Sequence, residues 1–302
     1  MAQVLLQAGT ELLPIGGVES REMMPRPTTS TETIRSRQNA RLKDLRQRLL
    51  RPNESEDGLL AIEGEHLLLE AVRSGLRIDT LFLREDRILL EPLAGLGNPL
   101  TFVVGADAFD HACATESPQG IAALVAGPRW SLEKLLQQEA SRLVVLAGLQ
   151  DPGNAGTIIR TAEAFGASGV LLTPGSVNPW NQKVLRASAG SSFRLPVISL
   201  EKVGLLKHLQ AKKIPLYACE ARLGTSAIDA DLEGPWAFVI GNEGAGIPKD
   251  VLPFCSATIH IPCPGSVESL NAGVAAAILL YEASRQRSEA TVAGEISGGS
   301  ER

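Results

Sequence analysis

Five polar side chains carry the chemistry available in this sequence: Asn154, Arg160, Glu243, Ser269 and Asn271. They fall in or just after three stretches rich in glycine and proline: QDPGNAG (150–156), GNEGAGIP (241–248) and PCPGSVESLN (262–271). Such loops leave backbone N–H and C=O groups bare and suit a nucleotide-like ligand. Glu243 follows a predicted strand end and sits between glycines; a carboxylate after a buried strand is costly unless paired, and Arg160 is an available partner. Ser269 and Asn271 stand where a helix N-cap is expected, and capping alone explains one of them. The first stretch by itself makes Arg160 a helix-surface arginine held by a nearby acid. Other chemistries lack their motifs. The first strand is not followed by G-x-G-x-x-G, and the chain has no G-x-x-x-x-G-K-[ST]. Nor does it have a G-x-S-x-G elbow, which argues against acyl transfer.

The elements that must position these residues follow from periodicity. Leu143–Leu146 is a short apolar, β-branched run and predicts a buried strand. Asp151-Pro152-Gly153-Asn154 breaks it. A helix follows, with Ile158, Ile159, Ala162 and Phe165 at helical spacing, and stops near Gly166. Gly169–Leu172 returns as a strand, completing a β-turn-helix-β unit. Trp236–Ile240 and Ala257–Ile261 predict two more strands, each running into one of the other loops. Three such loops can converge at the carboxyl edge of one sheet, where open α/β sheets bind ligands. Helices are predicted over 180–189, 203–213 and from about 272 to Arg287, with a further strand over 214–219 and a polar, disordered tail over 288–302.

Ahead of this unit, strands are predicted over 59–63, 79–83, 102–104 and 121–126 and a helix over 65–74, an alternation that makes residues 31–128 a smaller α/β domain. Residues 129–141, with a helix around 132–139, form a linker to a second domain over 142–287. Residues 1–30 carry scattered Pro, Gly and a Thr/Ser run and predict a disordered extension. Residues 31–52 hold seven basic residues against two acids in a chain of formal charge −5. Leu42, Leu45 and Leu49 fall on one helix face and Arg37, Arg41 and Arg48 on another. That pattern is either a solvated face or a phosphate-contacting helix. The chain has no run of about 18 apolar residues and no basic-then-apolar start, which predicts neither a membrane span nor a signal peptide. Four cysteines without C-x-x-C spacing and four scattered histidines predict no metal site and reduced thiols, as in the cytoplasm.

The stretches QDPGNAGTIIRTAEAFGA (150–167), FVIGNEGAGIP (238–248) and IHIPCPGSVESLNAGVAAAILLYE (259–282), in this order and spacing, resemble the three motifs of the SpoU, or TrmH-type, RNA ribose 2′-O-methyltransferases of the SPOUT superfamily. KVLRASAGSSFRLPV (183–197) resembles the family's connecting piece, with Asn181-Gln182 an unusual spelling before it. ARLKDLRQRLL, LLAIEGEHLLLEAV and SPQGIAALV resemble its substrate-binding domain, an α/β unit similar to certain ribosomal proteins. The resemblance covers roughly residues 33–287. It implies a SPOUT α/β domain with a mostly parallel sheet and a C-terminal trefoil knot, a fold that periodicity would not propose. It implies S-adenosylmethionine as cofactor, held by backbone around Gly241, Ile261 and Leu270, an RNA substrate, ribosomal ahead of transfer RNA, and a homodimer. Asn154, Arg160, Glu243, Ser269 and Asn271 match its functional positions. A guanidinium is a poor general base, so Arg160 is expected to act as a cation, its fork held by Glu243 and Asn154, with Ser269 and Asn271 positioning the ribose. The contrasting expectation is an RNA-binding module that keeps this fold without the reaction.

Overall fold

The computed structural model describes residues 33–52, 57–87, 99–138 and 141–298, with side chains up to residue 290. The expectation for residues 1–30 lies outside the described residues. The described residues build two sheets. The first has four strands, β1 (Leu59–Glu63), β2 (Ile78–Arg84), β3 (Leu100–Val104) and β4 (Ile121–Ala126), in the order β1-β4-β2-β3. β4 runs antiparallel to both neighbours and β2 parallel to β3. Helix α1 (Ala40–Leu50) covers one face with buried Leu42, Leu45 and Leu49, joined there by Phe109 of α3 (Ala106–Ala112). Helix α2 (Glu65–Arg73) covers the other. The sequence reading passes over α3, seven residues with a Gly105 N-cap that makes no side-chain cap.

The second sheet has seven strands, all paired in parallel. They are β5 (Arg142–Leu146), β6 (Gly169–Leu172), β7 (Val197–Ser199), β8 (Leu216–Cys219), β9 (Thr225–Ser226), β10 (Trp236–Ile240) and β11 (Ala257–His260), in the order β7-β6-β5-β10-β8-β11-β9. β5, β6 and β10 are almost wholly apolar runs, as parallel strands covered on both faces require. One face carries α5 (Pro152–Ala164), α6 (Gln182–Ser188) and α9 (Ala272–Gly298), with Ile158, Ile159, Val184, Leu279 and Leu280 in one core. The other carries α4 (Leu132–Leu135) and α8 (Lys207–Ala211). Most bounds shift from the sequence reading by one or two residues, and three elements change more. The linker helix shrinks to α4; the helix predicted from residue 203 opens as a 3₁₀ turn before α8. α9 runs past Arg287 to Gly298, so the stretch read as a disordered tail from 288 begins as helix.

The two units share one hydrophobic cluster. Trp180, Leu185 of α6 and Phe193 of α7 (Ser191–Arg194) pack against Leu60, Leu67 and Leu68. The buried Gln182 donates from Nε2 to the Ala61 carbonyl at 2.8 Å, which gives the unusual residue before Lys183 a structural role. Arg194 grips Glu163 of α5 at 2.7 Å and Glu70 of α2 at 2.8 Å, and both carboxyls are held below the usual carboxylate range against the upward push of burial. This clamp ties the first unit to the helix that carries Asn154.

Candidate active site

Each loop at the carboxyl edge of the large sheet is fixed locally. After β5, Asp151 caps α5, its Oδ1 accepting from the Asn154 N–H at 2.6 Å, and Pro152 opens the helix where a missing N–H costs nothing. After β10 the loop folds back on itself. Asn242 and Gly246 exchange two backbone hydrogen bonds of 2.9 Å, and Asn242 Oδ1 accepts from the N–H groups of Gly244 and Ala245 at 3.0 Å. Gly241 must be glycine here, because a Cβ would stand 2.4 Å from the Gly246 carbonyl carbon and 2.6 Å from the Ile247 nitrogen. Asn242 also donates to the Gly148 carbonyl at 3.3 Å, joining this loop to the one after β5. After β11, Asn271 caps α9, its Oδ1 accepting from Gly273 and Val274 at 2.9 and 3.2 Å.

The three loops meet through side chains. Asn271 Nδ2 donates to Asn154 Oδ1 at 3.0 Å, and Asn154 Nδ2 donates to Glu243 Oε1 at 2.9 Å. The direction of the whole chain follows from one end. Backbone N–H groups of α9 claim the Asn271 oxygen, so its amide must donate; Asn154 must then accept from it and donate onward. Glu243 receives as a carboxylate. Both asparagines keep a second N–H, and Glu243 keeps its second oxygen, for a ligand. Capping and site function therefore coincide in Asn271, while Ser269 is exposed and has no hydrogen-bond partner among the described residues.

Glu243, Ser269 and Asn271 also line a cavity of about 460 Å³ whose walls include Gly241, Ile261 and Leu270. The predicted cofactor positions thus share one hollow with three of the predicted polar ones. Cys219 lies in its wall, where burial pushes the thiol up and removes it as a nucleophile. Among the described residues no group of three His, Cys, Asp or Glu side chains could hold a metal ion, and no helix is long and apolar enough to cross a membrane.

Two expectations are corrected. Glu243 is exposed rather than buried, and its partner is Asn154, not Arg160. Arg160 stands exposed on α5, outside the cavity wall, and makes no hydrogen bond or ion pair among the described residues. Six positions separate Asn154 from Arg160, which turns them about 120° apart on a helix of 3.6 residues per turn; the two side chains leave α5 from different faces, and the fork makes no bond to Glu243. The basic segment 31–52 is also less free than its charge suggests. Arg37 precedes the Asn39 N-cap and so lies outside α1, where it is paired with Asp107. Arg48 is ion-paired with Asp44 at 2.9 Å and Asp57 at 2.8 Å, and these pairs raise the guanidinium further above its ordinary range. Arg41 lies over the Phe102 ring, 4.4 Å from its centre, and stays exposed. Asn242, the organiser of the second loop, is missing from the sequence reading, although an Asn directly before a Glu-Gly turn is a local signal for such a loop.

The chain is similar to known proteins over both of its units. Residues 141–281 match the SpoU rRNA Methylase family and residues 39–123 the MRM3-like substrate binding domain. A 23S rRNA (guanosine(2553)-2′-O)-methyltransferase, RlmP, of Bacillus subtilis is 34% identical over 82% of this chain and 97% of its own. The RlmB 23S rRNA (guanosine-2′-O-)-methyltransferase of Xanthomonas campestris pv. campestris is 36% identical over 56% of this chain and 71% of its own. The solved structure of the SpoU methyltransferase AviRb from Streptomyces viridochromogenes, in complex with AdoMet, superposes with a TM-score of 0.75 at 29% identity, covering 83% of this chain and 98% of the other.

Proposed function

We propose, on the premise that this chain belongs to the SpoU rRNA methylase family, that it methylates a ribose 2′-hydroxyl of ribosomal RNA with S-adenosylmethionine as donor. The observation that carries this reading is the oriented chain Glu243–Asn154–Asn271 at the cavity lined by Gly241, Ile261 and Leu270. The cavity fits the cofactor: its volume lies in the range of about 300–1,000 Å³ for small-ligand sites, and Ile240, Ile261, Leu270 and Leu279 give it apolar wall beside a polar mouth. Bound there, S-adenosylmethionine supplies an electrophilic methyl group on a sulfonium.

This chain's residues have the remaining tasks. The free amide N–H groups of Asn154 and Asn271 hold ribose oxygens in place, which removes orientational freedom from the attacking hydroxyl. Ser269, exposed at the same mouth, adds a hydroxyl. We assign Arg160, on the outer face of α5, to the RNA side, where its cation stabilises charge developing on the ribose oxygen. The test is incubation of unmodified 23S rRNA and tRNA with labelled S-adenosylmethionine, followed by nucleoside identification. Label in a 2′-O-methylated nucleoside of 23S rRNA is the expected result. No label, with cofactor and RNA both bound, would leave an RNA-binding module without the reaction.

Dimerisation is part of the same reading. On α9, Val274, Ile278 and Tyr281 recur at helical spacing and are 50%, 39% and 55% exposed, an apolar stripe beside the site that suits a second copy of this chain. Light scattering should give twice the chain mass, and Ile278→Glu with Tyr281→Glu should give single chains of reduced activity. A monomeric active wild type refutes it. The SPOUT trefoil knot is inferred likewise: the chain passes from β10 beyond β8 to β11, then returns in α9 to pack in the core of α5. A crystallographic chain trace decides it. A ribosomal substrate also goes with a cytoplasmic enzyme, which localisation of a tagged chain checks.

A further inference from the structure

Arg37 and Arg48 are spent on carboxylates and Arg222, in the cavity wall, donates to the Val267 carbonyl at 3.0 Å; further cations stand on α5 and α6. Gly156 lets these helices touch, since a Cβ there would lie 2.5 Å from that of Ala187 and 2.7 Å from the Val184 carbonyl oxygen. Further along, Glu163 of α5 reaches Arg194 of α7 at 2.7 Å, so α5 packs on α6 and then meets α7. Their inner faces are apolar: Ile158, Ile159 and Ala162 on α5, Val184 and Leu185 on α6. Arg160, Lys183 and Arg186 are left exposed, and their side chains make no hydrogen bond or ion pair among the described residues.

The nearby carboxylates of Glu163 and Glu70 are both taken by Arg194. Lys183 and Arg186 sit three residues apart, so their Cβ atoms lie about 5–6 Å apart and their like charges repel. That cost stands uncompensated in the free protein. α6 is fastened at its start to the substrate-binding unit, by Gln182 to the Ala61 carbonyl and by Asn178 to that of Pro52. The outer surface of α5 and α6 therefore connects the helix of Asn154 with that unit.

We propose that Lys183 and Arg186 bind backbone phosphates of the RNA beside the nucleotide held at the site. The site's place rests on the methyltransferase reading above. Phosphates rather than bases are the ligand, because the surface offers cations and no aromatic side chain for stacking. Contacts of this kind set position and salt dependence and carry no sequence preference.

The test measures binding of an unmodified 23S rRNA transcript across a salt series, for wild type and for Lys183→Gln with Arg186→Gln. Each lost phosphate contact lowers the slope of log affinity against log salt by about 0.7–0.9, so the double variant should lose about 1.5 and bind about tenfold more weakly at moderate salt. Its kcat at saturating RNA and its S-adenosylmethionine affinity should stay as in wild type. The exchange Lys183→Arg with Arg186→Lys should keep the slope, showing that charge is what matters. An unchanged slope and affinity in the Gln variant, with wild-type melting temperature, would overturn the proposal while leaving the methyltransferase reading intact. Wild type that binds RNA without methylating it would sink that reading, and the slope comparison would still decide on the phosphate surface.

Discussion

Arg160→Ala should lower kcat by about 10²- to 10³-fold, the effect of deleting one donor aimed at a developing oxyanion. Its S-adenosylmethionine affinity should be unchanged, because Arg160 does not line the cavity. The melting temperature should hardly move, since the side chain is exposed and bonded to nothing among the described residues. Arg160→Lys separates two roles. Lysine keeps the charge and loses the planar fork, so a stabilising cation predicts partial activity and an unshifted pH–rate profile around neutrality. Near-normal activity with the basic limb moved to lower pH would instead make residue 160 the proton acceptor. Single-turnover methylation across a pH series distinguishes the two.

The second large effect is expected at Asn271. Asn271→Asp keeps the α9 cap, since Asp and Asn cap about equally well and a carboxylate suits a helix N-terminus. It nevertheless removes the donor that Asn154 Oδ1 accepts from. Two acceptors then face each other. If the Asn154 amide turns over to donate to the new carboxylate, it presents its oxygen to Glu243 in place of the N–H. One end of the chain is mismatched in either orientation. A fall in kcat of about 10- to 100-fold, in the range of a misplaced reacting group, should accompany stability within about 1 kcal/mol of wild type. Asn271→Ala, lacking both functions, should lose about 1 kcal/mol of stability as well. Thermal unfolding beside initial rates reads both quantities; an Asn271→Asp variant of wild-type rate would show that the amide chain has no part in the reaction.

Both predictions depend on contacts between residues far apart in the chain. Glu243 is 89 residues from Asn154, and Asn271 is 117 from it. What was legible without the structure was local. The strands over 59–63, 121–126, 169–172 and 236–240 stand where the apolar runs predict them, because a strand buried along nearly its whole length advertises itself in its own side chains. The β5–α5–β6 unit, the Asn271 cap position and the inward leucines of α1 were readable for the same reason: turn chemistry, capping and helical period act within a few residues. The three motifs, read together, also sufficed to name the family.

Only the tertiary structure decided which of these polar groups face one another. Glu243 pairs with an amide instead of a guanidinium because a helix turn separates Asn154 from Arg160 by about 120°. Two cations of the basic segment are spent on acids that its own pattern does not single out: Arg48 of α1 on Asp44 and on Asp57 from the loop before β1, and Arg37, ahead of the helix, on Asp107 from α3. Likewise Gln182 is a link between domains because the Ala61 carbonyl lies open on an edge strand. Periodicity shows which face of an element is buried; the close approach of two elements, which chooses the partner of each side chain, depends on how all the elements pack at once.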